Sequence, residues 1–325
     1  MGEGSRYLGA ERARSQPQPM TGRSFDEGAA RWHNILMSQP PLTVFYSPAY
    51  AVDGKMETVS KSKLVAGLIE SGAAGEVWLE APKPATRREL ELIHEAEYVR
   101  HTLEDKGAFL EVGPWSQPLL DSILASTGGM RDAVKEALKN GRSGSLSSGL
   151  HHARRNSGNG FCQFNGLALA ALEALKKVKT VGILDLDAHA GGGTFDILGD
   201  HPQVYLADVT VNSFDSWEPS DKNRHFYVDV ENPKAYLGHV EDALLTLERV
   251  DFLIYNAGMD TYEKAGGMKG ITKEIILKRE KRVVEWARAR KIPHVFALAG
   301  GYKWDGLTLQ QIAELHLETV KAFAA

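Results

Sequence analysis

VGILDLDAHAGGGT, residues 181–194, decides how this chain is read. An apolar, strand-like run ends in Asp185, Asp187 and His189 at alternating positions, then breaks into three glycines. Successive side chains of an extended segment alternate faces, so Asp187 and His189 leave the strand on the same side. A carboxylate beside an imidazole is half of a divalent-metal site. The rest of the chain must supply the other half.

Outward from this run the same pattern recurs. VYLADVT at 204–210, DFLIYNAG at 251–258 and PHVFALAGG at 293–301 read as strands, as do LTVFYS from Leu42 and VWLEA at 77–81. Helical spacing marks 87–105 through Leu90, Ile93 and Tyr98, and further helices are expected at about 164–177, about 272–290 and from about 307. Nearly continuous apolar strands alternating with helices predict one three-layer α/β/α domain over 41–325, with a central, mostly parallel sheet. The Gly- and Ser-rich stretch NGRSGSLSSGLHH at 140–152 reads as a break, too short for a domain linker. Residues 1–40 are rich in Gly, Ser, Arg, Gln and Pro and are expected to form a loosely ordered arm that contacts a partner subunit, giving a homodimer.

Composition removes several functions. A chain of 325 residues can bury roughly three quarters of its unfolded surface. The formal net charge of −4 and pI of 6.3 offer no basic field, so nucleic acid is not an expected partner. No apolar run reaches membrane-spanning length and no secretory signal is visible, so a cytoplasmic location away from the membrane is expected. The single cysteine, Cys162, rules out an intrachain disulfide and a cysteine-rich zinc site. Any metal must be held by His, Asp or Glu.

In open parallel sheets, ligands bind beyond the carboxyl ends of the strands. Asp187 and His189 close one strand, Asp260 follows LIYNAGM, Tyr302 follows FALAGG, and His151 with His152 sits in the Gly-rich loop. Two carboxylates and an imidazole leave a metal open positions for water and a substrate carbonyl, as a catalytic site requires. Each element has a plainer reading: Asp-X-His or Asp260 as a turn cap, the paired histidines as packing residues, the glycines as a bend. Their joint placement at strand exits favours a site.

Taken together, GLHHARRNSGNGFCQFNGLALA, LDLDAHAGGGT, NAGMD and LAGGY resemble the histone deacetylase family, including its acetoin-utilisation and acetylpolyamine amidohydrolase relatives, from about Leu42 to the C-terminus. LIHEAEYV at 92–99 is similar to a His and Tyr segment of that family. The resemblance implies an arginase/deacetylase-like fold and one divalent metal, zinc first and Fe(II) second, on Asp187, His189 and Asp260. It implies catalytic roles for His151, His152 and Tyr302, with His152 as general base and Asp185 orienting His151. Gly160, Phe161 and Gly301 would border the substrate. A monovalent cation, K+, would sit among Asp185, Asp187, His189 and Asp208. The implied reaction is hydrolysis of an N-acyl amine, small molecule or peptide, by a metal-activated water. A noncatalytic acyl-ligand or protein-binding module is the competing expectation.

Departures from the pattern sharpen these expectations. The arginase and agmatinase ureohydrolases share Asp-Ala-His but need carboxylates for a second metal; Gly191 stands at one such position, and NAGMDTY offers only Asp260. A single metal is therefore expected. Deacetylases usually carry a second histidine and an orienting Asp or Asn where this chain has Ala190 and Gly192. His152 is thus expected to lack its usual partner unless water or a residue from elsewhere replaces it. KMETVSKSKL at 55–64 replaces an early His-Pro-Glu segment, and Asp208 stands where a serine is common, either extending a cation site or accepting backbone hydrogen bonds.

Overall fold

The computed structural model of the protein describes residues 40–52 and 57–325. The arm expected at 1–40 lies outside the described residues, apart from Pro40. In chain order the strands are β1 (Leu42–Phe45), β2 (Val77–Glu80), β3 (Phe109–Leu110), β4 (Gly113–Pro114), β5 (Arg142–Ser145), β6 (Val181–Asp185), β7 (Val204–Thr210), β8 (Arg224–Tyr227), β9 (Phe252–Asn256) and β10 (His294–Ala297). β3 and β4 form a small antiparallel hairpin. The others build one sheet in the order β2-β1-β5-β10-β9-β6-β7-β8, and every neighbouring pair is parallel. The helices are α1 (Glu57–Glu70), α2 (Arg87–Leu90), α3 (Ala96–Glu104), α4 (Gln117–Asn140), α5 (Gly166–Ala174), α6 (Gly192–Leu198), α7 (Tyr236–Thr246), α8 (Lys273–Arg290) and α9 (Leu309–Ala324).

The central strands are apolar on both faces because helices cover both. On β9, Leu253 and Tyr255 join one core with Val65 of α1, Val240 of α7, Val283 of α8 and Phe323 of α9. Phe252 and Ile254 of the same strand point the other way and pack with Met130 and Val134 of α4 and with Leu167 and Ala171 of α5. This is the expected three-layer α/β/α architecture with a parallel sheet. It brings the exits of β5, β6, β7, β9 and β10 to one edge, where the polar residues gather.

The expected break at 140–152 is only partly a loop, because RSGS at 142–145 is β5, fully buried between β1 and β10. Residues 143–145 of it are small because the neighbours leave no room. A Cβ on Gly144 would lie 2.1 Å from the Phe296 ring, and the Ser143 hydroxyl donates to Thr43 O at 2.7 Å. The helix expected over 87–105 is two helices, α2 and α3, separated by a turn that swings His94 inward to 4% exposure. Gly128 and Gly129 lie inside α4, where neighbouring groups admit no side chain. Added Cβ atoms there would lie 2.1 Å from Lys83 O and 1.9 Å from the Tyr50 hydroxyl. Among the described residues, no helix is long and apolar enough to cross a membrane.

Candidate metal and catalytic site

β6 ends at Asp185, and the chain beyond it turns through Asp187 and His189 while β9 delivers Asp260 four residues past its end. One ligand atom from each of Asp187, His189 and Asp260 lies within 4.8 Å of the others. His189 Nδ1 is 3.1 Å from Asp187 Oδ1 and 3.4 Å from Asp260 Oδ2. Backbone donors aim both carboxylates: Gly300 N–H to Asp187 Oδ2 at 2.6 Å and Ala188 N–H to Asp260 Oδ1 at 3.0 Å. Glycine is required at 300, since a Cβ would come within 2.0 Å of Asp260 Oδ2.

The electrostatics of this cluster fit a cation. Burial opposes charge on His189, yet the acceptor Asp187 and the adjacent carboxylates of Asp187 and Asp260 raise its pKa to about 10. Burial and the Asp187 charge push Asp260 up to about 6. Burial works against ionised Asp187 too, but the neighbouring histidines hold it well below the usual carboxylate range. Asp260 Oδ2, fully buried, accepts no hydrogen bond from any described residue. Two carboxylates with one unsatisfied oxygen and an imidazole suit a divalent ion, which would satisfy that oxygen in place of a proton.

His151 and His152 stand beside this cluster, with ring centroids 3.9 Å apart. Leu150, just before them, has φ of 63°, a left-handed conformation that is uncommon for a bulky residue and turns the pair into the site. Asn165 fixes their backbone: its side-chain amide donates to His151 O at 3.3 Å and to Ala153 O at 3.0 Å, while its oxygen caps α5 at Ala168 N. LIHEAEYV props the same loop from outside. His94 Nδ1 lies 2.8 Å from Arg154 O, its Nε2 accepts from Asn165 N at 3.0 Å, and the Tyr98 hydroxyl donates to Gln163 O at 2.6 Å.

The two histidines differ in their carboxylate partners. His151 Nδ1 meets Asp185 Oδ2 at 2.7 Å; although burial opposes it, the charges of Asp185 and Asp187 raise this imidazole to about 9. His152 Nδ1 meets Asp215 Oδ2 at 2.9 Å. Burial and the neighbouring His151 lower His152 to about 4, against the pull of Asp215. Of the alternatives left open for His152, a residue from elsewhere is the one found: Asp215, on the loop leaving β7, stands at its Nδ1. A Cβ on Gly192 would lie 2.4 Å from Asp215 O and 2.5 Å from its Oδ1, so the glycine is what admits this carboxylate. Arg154 also hydrogen-bonds Asp215 Oδ1.

A cavity of about 20 Å³ opens onto these groups, bounded by His151, His152, Gly160, Phe161, Asp187 and Tyr302. Gly160, at φ of 52°, is held to a hydrogen side chain because a Cβ would lie 2.5 Å from the His152 ring. Phe161 is 42% exposed and Phe214 44%, and Phe214 meets the rings of His152 and His189 edge-on at 5.0 and 5.8 Å. Gly300 lines this cavity, whereas Gly301 backs onto His316, whose Nε2 would be 2.9 Å from an added Cβ. Asp208 lies away from the ligand cluster. Its Oδ2 accepts from Gly191 N–H and from Trp217 Nε1–H, each at 2.8 Å, and burial with the Asp185 charge raises it to about 8.

Sequence reasoning did not single out Phe214, Asp215 or Lys61. The first two lie just past the exit of β7, where the sequence from 211 to 215 carries no apolar or metal-ligand pattern. Lys61 belongs to the altered KMETVSKSKL segment; it is fully buried and its ammonium group donates to Ala299 O, beside the Gly300 loop. Burial lowers it to about 8 against the attraction of Asp260 and Asp187.

A parallel α/β sheet with a carboxylate–imidazole cluster at its carboxyl edge is the class of architecture that presents a ligand site beyond its strand ends. The histone deacetylase domain family matches residues 55–320, and the chain belongs to that family. It is 30% identical over 281 residues to an uncharacterized protein of Picosynechococcus, covering 80% of this chain and 91% of that one. It is 27% identical over 292 residues to histone deacetylase 2 of Arabidopsis thaliana, covering 80% and 74%. The fold matches acetylpolyamine aminohydrolase from Burkholderia pseudomallei with a TM-score of 0.73 at 17% identity, over 87% of this chain and 99% of that one.

Proposed function

We propose that residues 41–325 form the catalytic domain of a divalent-metal-dependent amidohydrolase that removes a small acyl group from an amine. The observation that carries this reading is the pairing of His152 with Asp215 beside the Asp187–His189–Asp260 cluster. Those three residues would hold zinc or Fe(II), which when bound supplies Lewis acidity toward a carbonyl oxygen and toward water.

The chain's own groups divide the remaining work. Asp215 accepts from His152 Nδ1–H and so leaves Nε2 as the acceptor, while the lowered pKa keeps the ring neutral and able to take a proton. His151, held at Nδ1 by Asp185 and with a raised pKa, favours the charged form and suits it to stabilise negative charge or return a proton to the leaving amine. Tyr302 lines the cavity, and its hydroxyl would donate to a developing oxyanion. Phe161 borders the cavity, and Phe214 packs edge-on against the rings of His152 and His189 beside it.

The competing noncatalytic reading rests on Ala190 and Gly192; at Gly192, the Asp215 carboxylate beside His152 supports the catalytic reading. The relatives' names include a histone deacetylase and the matching fold an acetylpolyamine aminohydrolase, so lysine and polyamine amides are the first substrates to try. Protein loaded with zinc, Fe(II) or Co(II) is assayed against acetyl-lysine peptides, longer acyl-lysine peptides and acetylpolyamines. Acetyl substrates should release amine. Absence of turnover across the panel with bound metal would return the binding-module reading to first place.

A further inference from the structure

Behind the ligand cluster lies a side chain that no part of the mechanism above uses. Arg279 of α8 is fully buried and reaches the exits of both strands that supply the cluster. Four oxygens surround its Nη1: Gly258 O at 2.7 Å, Thr261 Oγ1 at 3.0 Å, the Tyr236 hydroxyl at 3.1 Å and Leu186 O at 3.2 Å. Leu186 immediately precedes Asp187, and Gly258 and Thr261 bracket Asp260. Both carbonyls lie beyond Asp185↔Asn256, the last paired residues of β6 and β9, where the ladder no longer sets the spacing of the two chains.

The charge is balanced on the far side. Glu280 Oε1 accepts from Arg279 Nη2 at 2.6 Å and from Nε at 2.8 Å, and it also accepts from the Tyr255 hydroxyl at 2.7 Å. A buried ion pair of this kind is a poor source of net stability, because desolvation consumes most of its attraction. Its distinguishing property is geometric. A guanidinium is a rigid, permanently charged fork with five donors, and lysine cannot reproduce that span.

We infer that Arg279 is a positioning residue that clamps the Leu186 and Gly258–Thr261 segments together and thereby sets the separation of Asp187 and Asp260 for a metal ion. The inference rests on the proposal that these two carboxylates are metal ligands. Arg279 touches neither ligand nor substrate; it acts through the backbone that carries the ligands.

The test compares the full chain with Arg279→Lys, using Co(II) affinity by chelator competition, the visible absorption of bound Co(II), and the thermal midpoint of metal-free protein. Loss of such supporting contacts typically weakens metal binding about 10- to 100-fold. Arg279→Lys should show that loss with an altered Co(II) spectrum. A variant that melts earlier without metal yet keeps the parent's affinity and spectrum would reduce Arg279 to a structural residue and overturn the inference. Should Arg279→Lys fail to fold, Thr261→Val removes one contact beside Asp260 and leaves the charge in place; affinity should fall about 2- to 10-fold, as loss of one such hydrogen bond predicts. Unchanged affinity there also overturns the inference. A parent protein that binds no Co(II) refutes the metal-site reading itself, whereas a binding parent with equally binding variants refutes only the clamp.

Discussion

Asp215 Oδ2 sits 2.9 Å from His152 Nδ1, in space that the missing side chain of Gly192 leaves open. The carboxylate that orients this histidine thus comes from the loop after β7, and it belongs to the same short turn as Phe214, which packs on the His152 ring. One loop therefore both orients the proposed base and packs against its ring. Asp215→Asn should lower kcat by about 10- to 1000-fold, no more than loss of the general base itself, with little change in KM. Gly192→Ala should lower kcat in the same direction by displacing Asp215. Steady-state kinetics on an acetyl substrate, with circular dichroism to verify folding, decide the matter; normal kcat in Asp215→Asn would remove the histidine-carboxylate pair from the mechanism.

The role assigned to Tyr302 is separable from metal binding. Its hydroxyl reaches the reacting carbonyl in the proposal but belongs to none of the ligand groups. Tyr302→Phe should therefore cut kcat by about 100- to 1000-fold, the usual loss of one oxyanion donor, while Co(II) affinity stays at the parent value. A variant that retains turnover would leave the oxyanion to other donors.

Metal binding should register as stability, because Asp187, His189 and Asp260 come together only in the folded chain. At ligand near 100 times Kd, linkage adds about 2.7 kcal/mol. Zinc or Co(II) should raise the thermal midpoint and a chelator should reverse the rise. His189→Ala should abolish the response. A midpoint indifferent to both additions would count against the site.

How far the sequence discloses this molecule follows from the length scale of each signal. The apolar runs of β6, β7, β9 and β10 announce a parallel sheet because each strand carries its own pattern, and the ligand residues stand at the ends of those runs. β5 was hidden, since RSGS has no apolar alternation; it is a strand because Phe296 and Thr43 press on it from neighbouring chain segments. Asp215 was hidden for a related reason. Its partner is 63 residues away, and the space it fills is defined by an absent side chain at Gly192, so neither local spacing nor residue type points to the pair. Arg279 reads in the sequence as one more charge on an amphipathic helix, and only the three-dimensional approach of β6 and β9 shows what it joins.

His94 gives a pH-dependent prediction away from the ligand cluster. Its Nε2 accepts from Asn165 N–H, and Nδ1 faces Arg154 O, so the neutral ring, donating from Nδ1, satisfies both contacts. Burial lowers its pKa from 6.5 to about 4, although the Arg154 and Arg155 backbone contacts favour the charged form. A depressed histidine contributes stability that is fully present above 6.5, because the unfolded chain binds the proton more readily at lower pH. That contribution is lost as pH falls from about 6.5 to about 4, a total of roughly 3 kcal/mol for a shift of this size. His94→Asn keeps a donor toward Arg154 O but cannot titrate. The stability gap between parent and variant should be widest at pH 7 and shrink steadily toward pH 4.5, measured by urea unfolding with chelator present throughout so that protonation of the ligand cluster cancels in the difference. Since the loop from His151 to Asn165 rests on this ring, the parent should also lose activity irreversibly faster at pH 5 than at pH 7. A gap that stays constant with pH would mean that His94 is not held neutral by burial.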